Sequence, residues 1–170
     1  KLLESGQILL DQKIGTILNE FNRSPKANIA IDMLLRHTSG FPAHRKYFEK
    51  VIRPNKDPRK LMRDLLVSEA LENKVGERQV YSDLGFMILS WIVEEISGER
   101  LDQFVSKQIY LPLQIDELFF LKIDSNTEKL SQYKQKMVST QKCPWRNKVL
   151  VGEVDDDNAW AVGGIEGHAG

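Results

Sequence analysis

The sequence is poor in the residues that make covalent staples and membrane spans. One cysteine, Cys143, stands among 170 residues, so no disulfide can close within the chain and a cysteine-rich metal site is excluded. No apolar run reaches the roughly 20 residues of a membrane-crossing helix. The most apolar stretch, Leu84 to Ile96, is interrupted by Ser90, Glu94 and Glu95. Net charge is absent too: 24 basic residues meet 24 acidic ones. No net field draws the protein to nucleic acid or an anionic surface, and no basic tract interleaved with aromatics argues for nucleic-acid binding. The three histidines, His37, His44 and His168, are scattered without the spacing or partner carboxylates of a metal site.

What is present describes a globular domain. Hydrophobic content of 41% and charged content of 28% are ordinary for a chain long enough to bury one core. Lys1 to Gly6 reads as the last turn of a helix whose body lies upstream, with Gly6 as its stop. Ile31, Leu34 and Leu35 mark one short helical face, broken by Thr38, Ser39, Gly40 and Pro42. Asp57-Pro58 is a strong helix start, followed by Leu61, Leu65 and Leu66 at helical spacing. Ser82 to Ser97 is the clearest helix. Its stripe of Leu84, Met87, Ile88, Trp91, Ile92 and Ile96 is wide enough to be central, and Gly98 ends it. Leu101 to Ile109 is a further amphipathic helix stopped by Pro112, and Lys122 to Lys148 is expected to be mostly loop. Four or five helices and little strand predict a mainly α lobe, a single domain over residues 1–170.

Several segments invite chemistry. Ser131-Gln132-Tyr133-Lys134 and Ser139-Thr140-Gln141-Lys142 both spell Ser-x-x-Lys, but in polar sequence with no buried helix to desolvate the lysine. Ser39 has no glycine before it at the spacing of a nucleophile elbow and follows a helix rather than starting one. A tight loop in which Thr38 and Ser39 satisfy backbone groups explains it, with His37 a structural residue at the helix end. Asp155-Asp156-Asp157-Asn158 fails as a calcium loop because Trp160 occupies the glycine position. Asp156 and Asn158 are expected to brace the glycine loop that follows, and Trp145 and Trp160 to pack the tail onto the lobe. Gly163-Gly164 and Gly167-His168-Ala169-Gly170 lack the ending of a phosphate loop.

Three segments, taken in order, resemble one family. They are Leu34-Leu35-Arg36-His37-Thr38-Ser39-Gly40-Phe41-Pro42, then Tyr81-Ser82-Asp83-Leu84-Gly85-Phe86, then Gly152-Glu153-Val154-Asp155-Asp156-Asp157-Asn158-Ala159 with Gly163-Gly164-Ile165-Glu166-Gly167-His168-Ala169-Gly170. Together they are similar to the class C β-lactamase and penicillin-binding-protein superfamily, which also holds DD-peptidases and esterases. Leu2-Leu3-Glu4-Ser5-Gly6-Gln7-Ile8-Leu9-Leu10-Asp11 resembles the end of that family's nucleophile helix; Gln114 to Lys136 carries no such likeness.

The resemblance implies the helical lobe of the β-lactamase/transpeptidase-like α/β fold, with little of the antiparallel sheet present. It implies an internal piece of a serine hydrolase that would form an acyl-enzyme on an ester, amide or β-lactam. The catalytic Ser-x-x-Lys would lie before Lys1, so the chain alone would be inactive. Tyr81 takes the place of the family's relay tyrosine. Asp83 takes the place of a substrate-binding asparagine, and where asparagine can donate a hydrogen bond, aspartate can only accept. Asp155 stands where a histidine is expected. These departures keep open a non-catalytic relative that binds a peptide or cell-wall fragment. No cofactor or metal is implied. The partners implied are a small-molecule or peptide-like substrate, with no nucleic acid and no membrane span, and self-association through the face that would meet the sheet.

Overall fold

The computed structural model describes residues 1–53, 56–120, 133 and 136–167. The chain opens with one helical turn. Ser5 N–H donates to the Lys1 carbonyl at 2.9 Å, and the turn closes with Gly6 N–H to Leu3 O at 3.0 Å and Gln7 N–H to Leu2 O at 2.9 Å. That bond pair is a Schellman stop with Gly6 in the left-handed region at φ 71°, as its position in sequence predicts. Three short 3-10 turns follow, Ile14–Thr16, Asn19–Phe21 and Pro25–Asn28. Helices α1 (Ile31–Leu35) and α2 (Phe48–Val51) are brief. Between them the chain turns at Gly40, whose φ is 83° and whose missing side chain leaves room for the Asn73 carbonyl; a Cβ there would collide with that oxygen.

Helix α3 (Pro58–Ser68) starts as its sequence dictates. The Asp57 carboxylate accepts from the amides of Arg59 at 2.9 Å and Lys60 at 3.3 Å, with Pro58 at the first helical position. We predict that Asp57→Ala lowers unfolding stability by about 1 kcal/mol, the usual cost of a lost N-cap, measured as the midpoint shift in urea.

Helix α4 (Asp83–Ser97) is the spine of the fold, ended by Gly98 at φ 68°. Its Leu84, Met87, Ile88 and Trp91 are fully buried among Phe21, Leu34, Met62 and Leu66, and α1 packs across it. The spine is also clamped by charge. Trp91 Nε1 donates to the buried Glu166 at 2.8 Å, Arg59 on α3 pairs with the same carboxylate, and the other arm of Arg59 reaches Glu94 Oε2 at 2.6 Å. Helix α5 (Leu101–Val105) runs on through a π-helical stretch, Ser106–Tyr110. The helical run ends at Tyr110, two residues before Pro112, as the sequence predicts. A single turn follows, with Leu113 N–H donating to Ile109 O at 3.2 Å and Gln114 left-handed at φ 55°.

The tail holds the main departure from the sequence reading. Within the stretch expected to be loop, β1 (Ser139–Cys143) pairs antiparallel with β2 (Lys148–Val151), joining Ser139 to Val151 and Cys143 to Lys148 across the ladder. Alternation is hidden because only Cys143 and Leu150 are buried in the hairpin. Arg146 in its turn supplies the anchor. It donates to the carbonyls of Val154 at 2.9 Å and Asp155 at 2.7 Å, pairs with Asp157 at 2.9 Å, and lies over the Trp160 ring at 5.4 Å. Helix α6 (Asp157–Ala161) follows. Trp145 meets Phe48 at 4.5 Å and Trp160 at 5.3 Å between ring centres, which packs the tail onto the lobe as expected. Helices and one two-stranded ladder make the described residues a mainly α assembly, and none of its helices is long and apolar enough to cross a membrane.

Candidate active site

The N-terminal end of α4 is built by one serine and one histidine. Ser82 is buried. Its Oγ accepts from the Gly85 amide at 3.3 Å, capping the helix, and donates to the Pro42 carbonyl at 2.7 Å. Its own N–H donates to His37 Nδ1 at 3.1 Å, so a neutral His37 carries its ring proton on Nε2. His37 follows α1 in the left-handed region at φ 57°, and its carbonyl accepts from the Val80 amide at 2.9 Å. One bond thus holds the ring and one the backbone of His37, and the imidazole packs against two aromatic rings: Tyr81 at 4.6 Å and 39° between planes, Phe86 at 5.0 Å and 21°. Tyr81 is 61% exposed yet oriented, because one face of its ring rests on that imidazole.

The loop before α2 is strapped to the same helix end. Asp83 N–H donates to the Ala43 carbonyl at 3.0 Å, and Asp83 Oδ2 lies 3.2 Å from His44 Nδ1. The tail arrives from a third direction. Asp156 caps α6 by accepting from the Asn158 and Ala159 amides at 2.7 and 3.1 Å. Burial pushes its carboxyl above the ordinary range against the pull of those amides, with the charge of Asp83 adding to the rise and His44 opposing it. Asn158 was expected to brace the glycine loop; instead it is buried and bridges to α2. Its Oδ1 accepts from Phe48 N–H at 2.9 Å and its Nδ2 donates to Arg45 O at 2.7 Å. Arg45 spends its own charge on Glu69 at 3.0 Å and Glu72 at 2.7 Å. The Tyr47 hydroxyl donates to Glu69, and burial, then that bond, raises its phenol well above the usual range.

Comparison with known proteins decides the family. The beta-lactamase family model matches residues 1–164. The chain belongs to the beta-lactamase family. Across its full length it is 28% identical to an Escherichia coli (strain K12) protein provisionally named D-alanyl-D-alanine carboxypeptidase, and 26% identical to an N-acetylmuramyl-L-alanine amidase of Bacillus subtilis (strain 168). It spans 43% and 42% of the length of those relatives. Among solved structures, a beta-lactamase/D-alanine carboxypeptidase from Pseudomonas syringae superposes with a TM-score of 0.66 at 16% identity, over 97% of this chain and 42% of that one. A penicillin-binding protein from Bacillus halodurans gives 0.60 at 21% identity over 98% and 50%, and an octameric penicillin-binding protein homologue from Pyrococcus abyssi gives 0.61 at 17% over 98% and 37%. The fold is therefore that of the β-lactamase and penicillin-binding proteins.

Within this β-lactamase-family lobe, the structure brings Tyr81 and Asp83 to one helix end, beside His44 and near Asp156. Ser39 is buried in the loop after α1 and begins no helix itself. Ser139 and Lys142 are exposed on β1, where no helical turn brings them to one face. Ser131, Lys134 and His168 lie outside the described residues. Among the described residues no group of histidine, cysteine, aspartate or glutamate could hold a metal ion. The sequence reading missed His44 and the ring-holding role of His37. No spacing rule links His44 to Asp83, 39 residues away; only the strap of loop to helix does.

Proposed function

We propose that this lobe serves a serine hydrolase acting through an acyl-enzyme on an ester, amide or β-lactam. Tyr81 belongs to the proton relay, Asp83 contacts the substrate, and the serine and lysine come from sequence outside these 170 residues. The chain's span of 43% of a curated relative's length leaves room for such a segment. The serine oxygen attacks the carbonyl carbon and gives up its proton through the lysine–tyrosine pair. The leaving group departs with a proton, and water hydrolyses the acyl-serine ester to restore the free hydroxyl. The observation that carries this reading is the exposure of Tyr81 on a helix end that Ser82 caps and where His37 stacks on the tyrosine ring. A relay phenol must reach substrate and yet be held in place, and His37 supplies the hold.

The test is covalent. The complete protein incubated with benzylpenicillin or an activated ester is expected to gain the mass of one acyl group on a serine, read by intact-mass and peptide spectrometry. No mass gain together with no ester turnover removes the hydrolase reading. That outcome favours a non-catalytic binder of a peptide or cell-wall fragment, for which the acidic residues at positions 83 and 155 speak. Self-association through the face that would meet the sheet is proposed with it.

A further inference from the structure

We propose that the cavity between the 3-10 turns Ile14–Thr16 and Pro25–Asn28 is a binding site for the phosphate monoester of a small polyol or sugar. It shares no residue with the helix end that carries Tyr81, and no step of the hydrolase reading uses it.

The cavity measures about 510 Å³, and its charged lining is of one sign: Lys13 and Arg23, with no carboxylate beside them. In a chain whose 24 basic and 24 acidic residues cancel, that is a local separation of charge and not a share of a general excess. Among the described residues neither cation forms an ion pair. The acids nearest to them in sequence are Asp11 and Glu20. Neither lines the cavity, and Glu20 is paired with Arg63 at 3.0 Å. Lys26, the third cation of the segment, is buried and gives its ammonium to the Glu69 carbonyl at 2.6 Å. The neutral groups supply donors. Ser24 Oγ accepts from the Lys26 amide at 3.2 Å, which leaves its hydroxyl proton for a ligand, and the carboxamides of Asn22 and Asn28 each bring an NH₂. Thr16 is already committed, its Oγ1 donating to Lys13 O at 2.7 Å. The walls are set before any ligand arrives. Gly15 lies so close to Ala27 that a Cβ on it would stand 2.7 Å from the Ala27 Cβ. Lys13 is bridged to Ala30, and Ile14 N–H donates to Ile29 O at 2.9 Å. Two cations match the near-dianionic charge of a phosphate monoester at neutral pH, and the guanidinium fork of Arg23 suits its paired oxygens. A water takes up about 30 Å³, so the volume is well beyond one oxyanion. The carboxamides both donate to and accept from hydroxyls, which makes the carrier of the phosphate a polyol.

Calorimetric titration of the complete protein at low salt tests the site without reference to turnover. Glucose 6-phosphate is expected to bind about tenfold or more tightly than either glucose or inorganic phosphate, each of which lacks half of the recognised group. Arg23→Gln and Lys13→Gln should each weaken glucose 6-phosphate by about tenfold, the scale of one hydrogen bond to a charged group, and added salt should weaken it further. Lys107→Gln, which removes a cation paired elsewhere with Glu99, should leave the affinity unchanged. Arg23 is exposed, so its replacement spares the core, and circular dichroism of each variant verifies the fold. No binding of glucose 6-phosphate, an affinity no better than that of glucose or inorganic phosphate, or an affinity that survives Arg23→Gln or falls equally in Lys107→Gln would each overturn the proposal. The expected pattern in a protein that never forms an acyl-serine would leave this site standing and remove the hydrolase reading instead.

Discussion

Replacing Tyr81 with phenylalanine in the complete protein is expected to lower kcat/KM on a chromogenic ester by about 10²- to 10⁴-fold, the range a positioned acid–base group contributes. The unfolding midpoint should barely move. Both halves of that expectation follow from the same geometry. At 61% exposure the residue contributes little to the core, and substitutions at such positions usually stay within about 0.5 kcal/mol. The phenylalanine ring keeps its seat on His37, 4.6 Å between centres, so the backbone at the start of α4 is undisturbed. Only the oxygen is lost. If that oxygen moves a proton in the transition state, kcat and kcat/KM fall together; a rise in KM at constant kcat would make Tyr81 a binding contact instead. Unchanged turnover takes Tyr81 out of the mechanism altogether. Ser82 caps the helix and His37 holds the ring, and neither of those two contacts runs through the phenol oxygen.

The elements legible in the sequence are those whose cause is local. The start of α3 is written in Asp57-Pro58 and the end of α4 in Gly98, because caps and left-handed stops depend on one or two residues. The buried face of α4 is legible because its period repeats for four turns. The hairpin was not. Ser139-Thr140-Gln141-Lys142 has no apolar alternation, and β1 exists because Arg146, four residues further on, finds the carbonyls of Val154 and Asp155 and the carboxylate of Asp157. The same holds for the site. Tyr81 and Asp83 stand out through family resemblance, whereas His44 and Asn158 act across 39 and 113 residues respectively. Pairs that distant are set by how the loop before α2 folds back, which no window of sequence contains. The stop before Pro112 is local in the same way as the caps. A proline lacks the N–H a further helical turn needs, and the run of α5 and its π-helical stretch ends at Tyr110, two residues before it.

Removing Arg59 should be the most damaging single change to the clamp that fixes the tail. Arg59→Met is expected to cost about 3 kcal/mol, the lower end of the range for stripping one partner from a buried ion pair, because the Arg59 side chain is 32% exposed. What remains would be Glu166, buried against Trp91, and Glu94, both without their cation. Burial already pushes the Glu166 carboxyl above its ordinary 4.5, with Arg59 and the Trp91 N–H pulling it back. A carboxyl raised on folding binds its proton more tightly in the native state than in the unfolded one. Its contribution is therefore fully favourable below the unfolded value and is lost as pH rises through the folded one. Asp156, raised for the same reason, acts in the same direction. In the Arg59→Met protein the downward pull is gone, so Glu166 should stay protonated to higher pH. The penalty, read from urea unfolding, should then be smaller at pH 5 than at pH 8. Adding Glu166→Gln should return most of the lost stability at pH 8, since an amide leaves no buried charge and still accepts from the Trp91 N–H. A penalty equal at the two pH values, or no recovery in the double variant, would mean that Arg59 acts through packing of its stem and not through its charge.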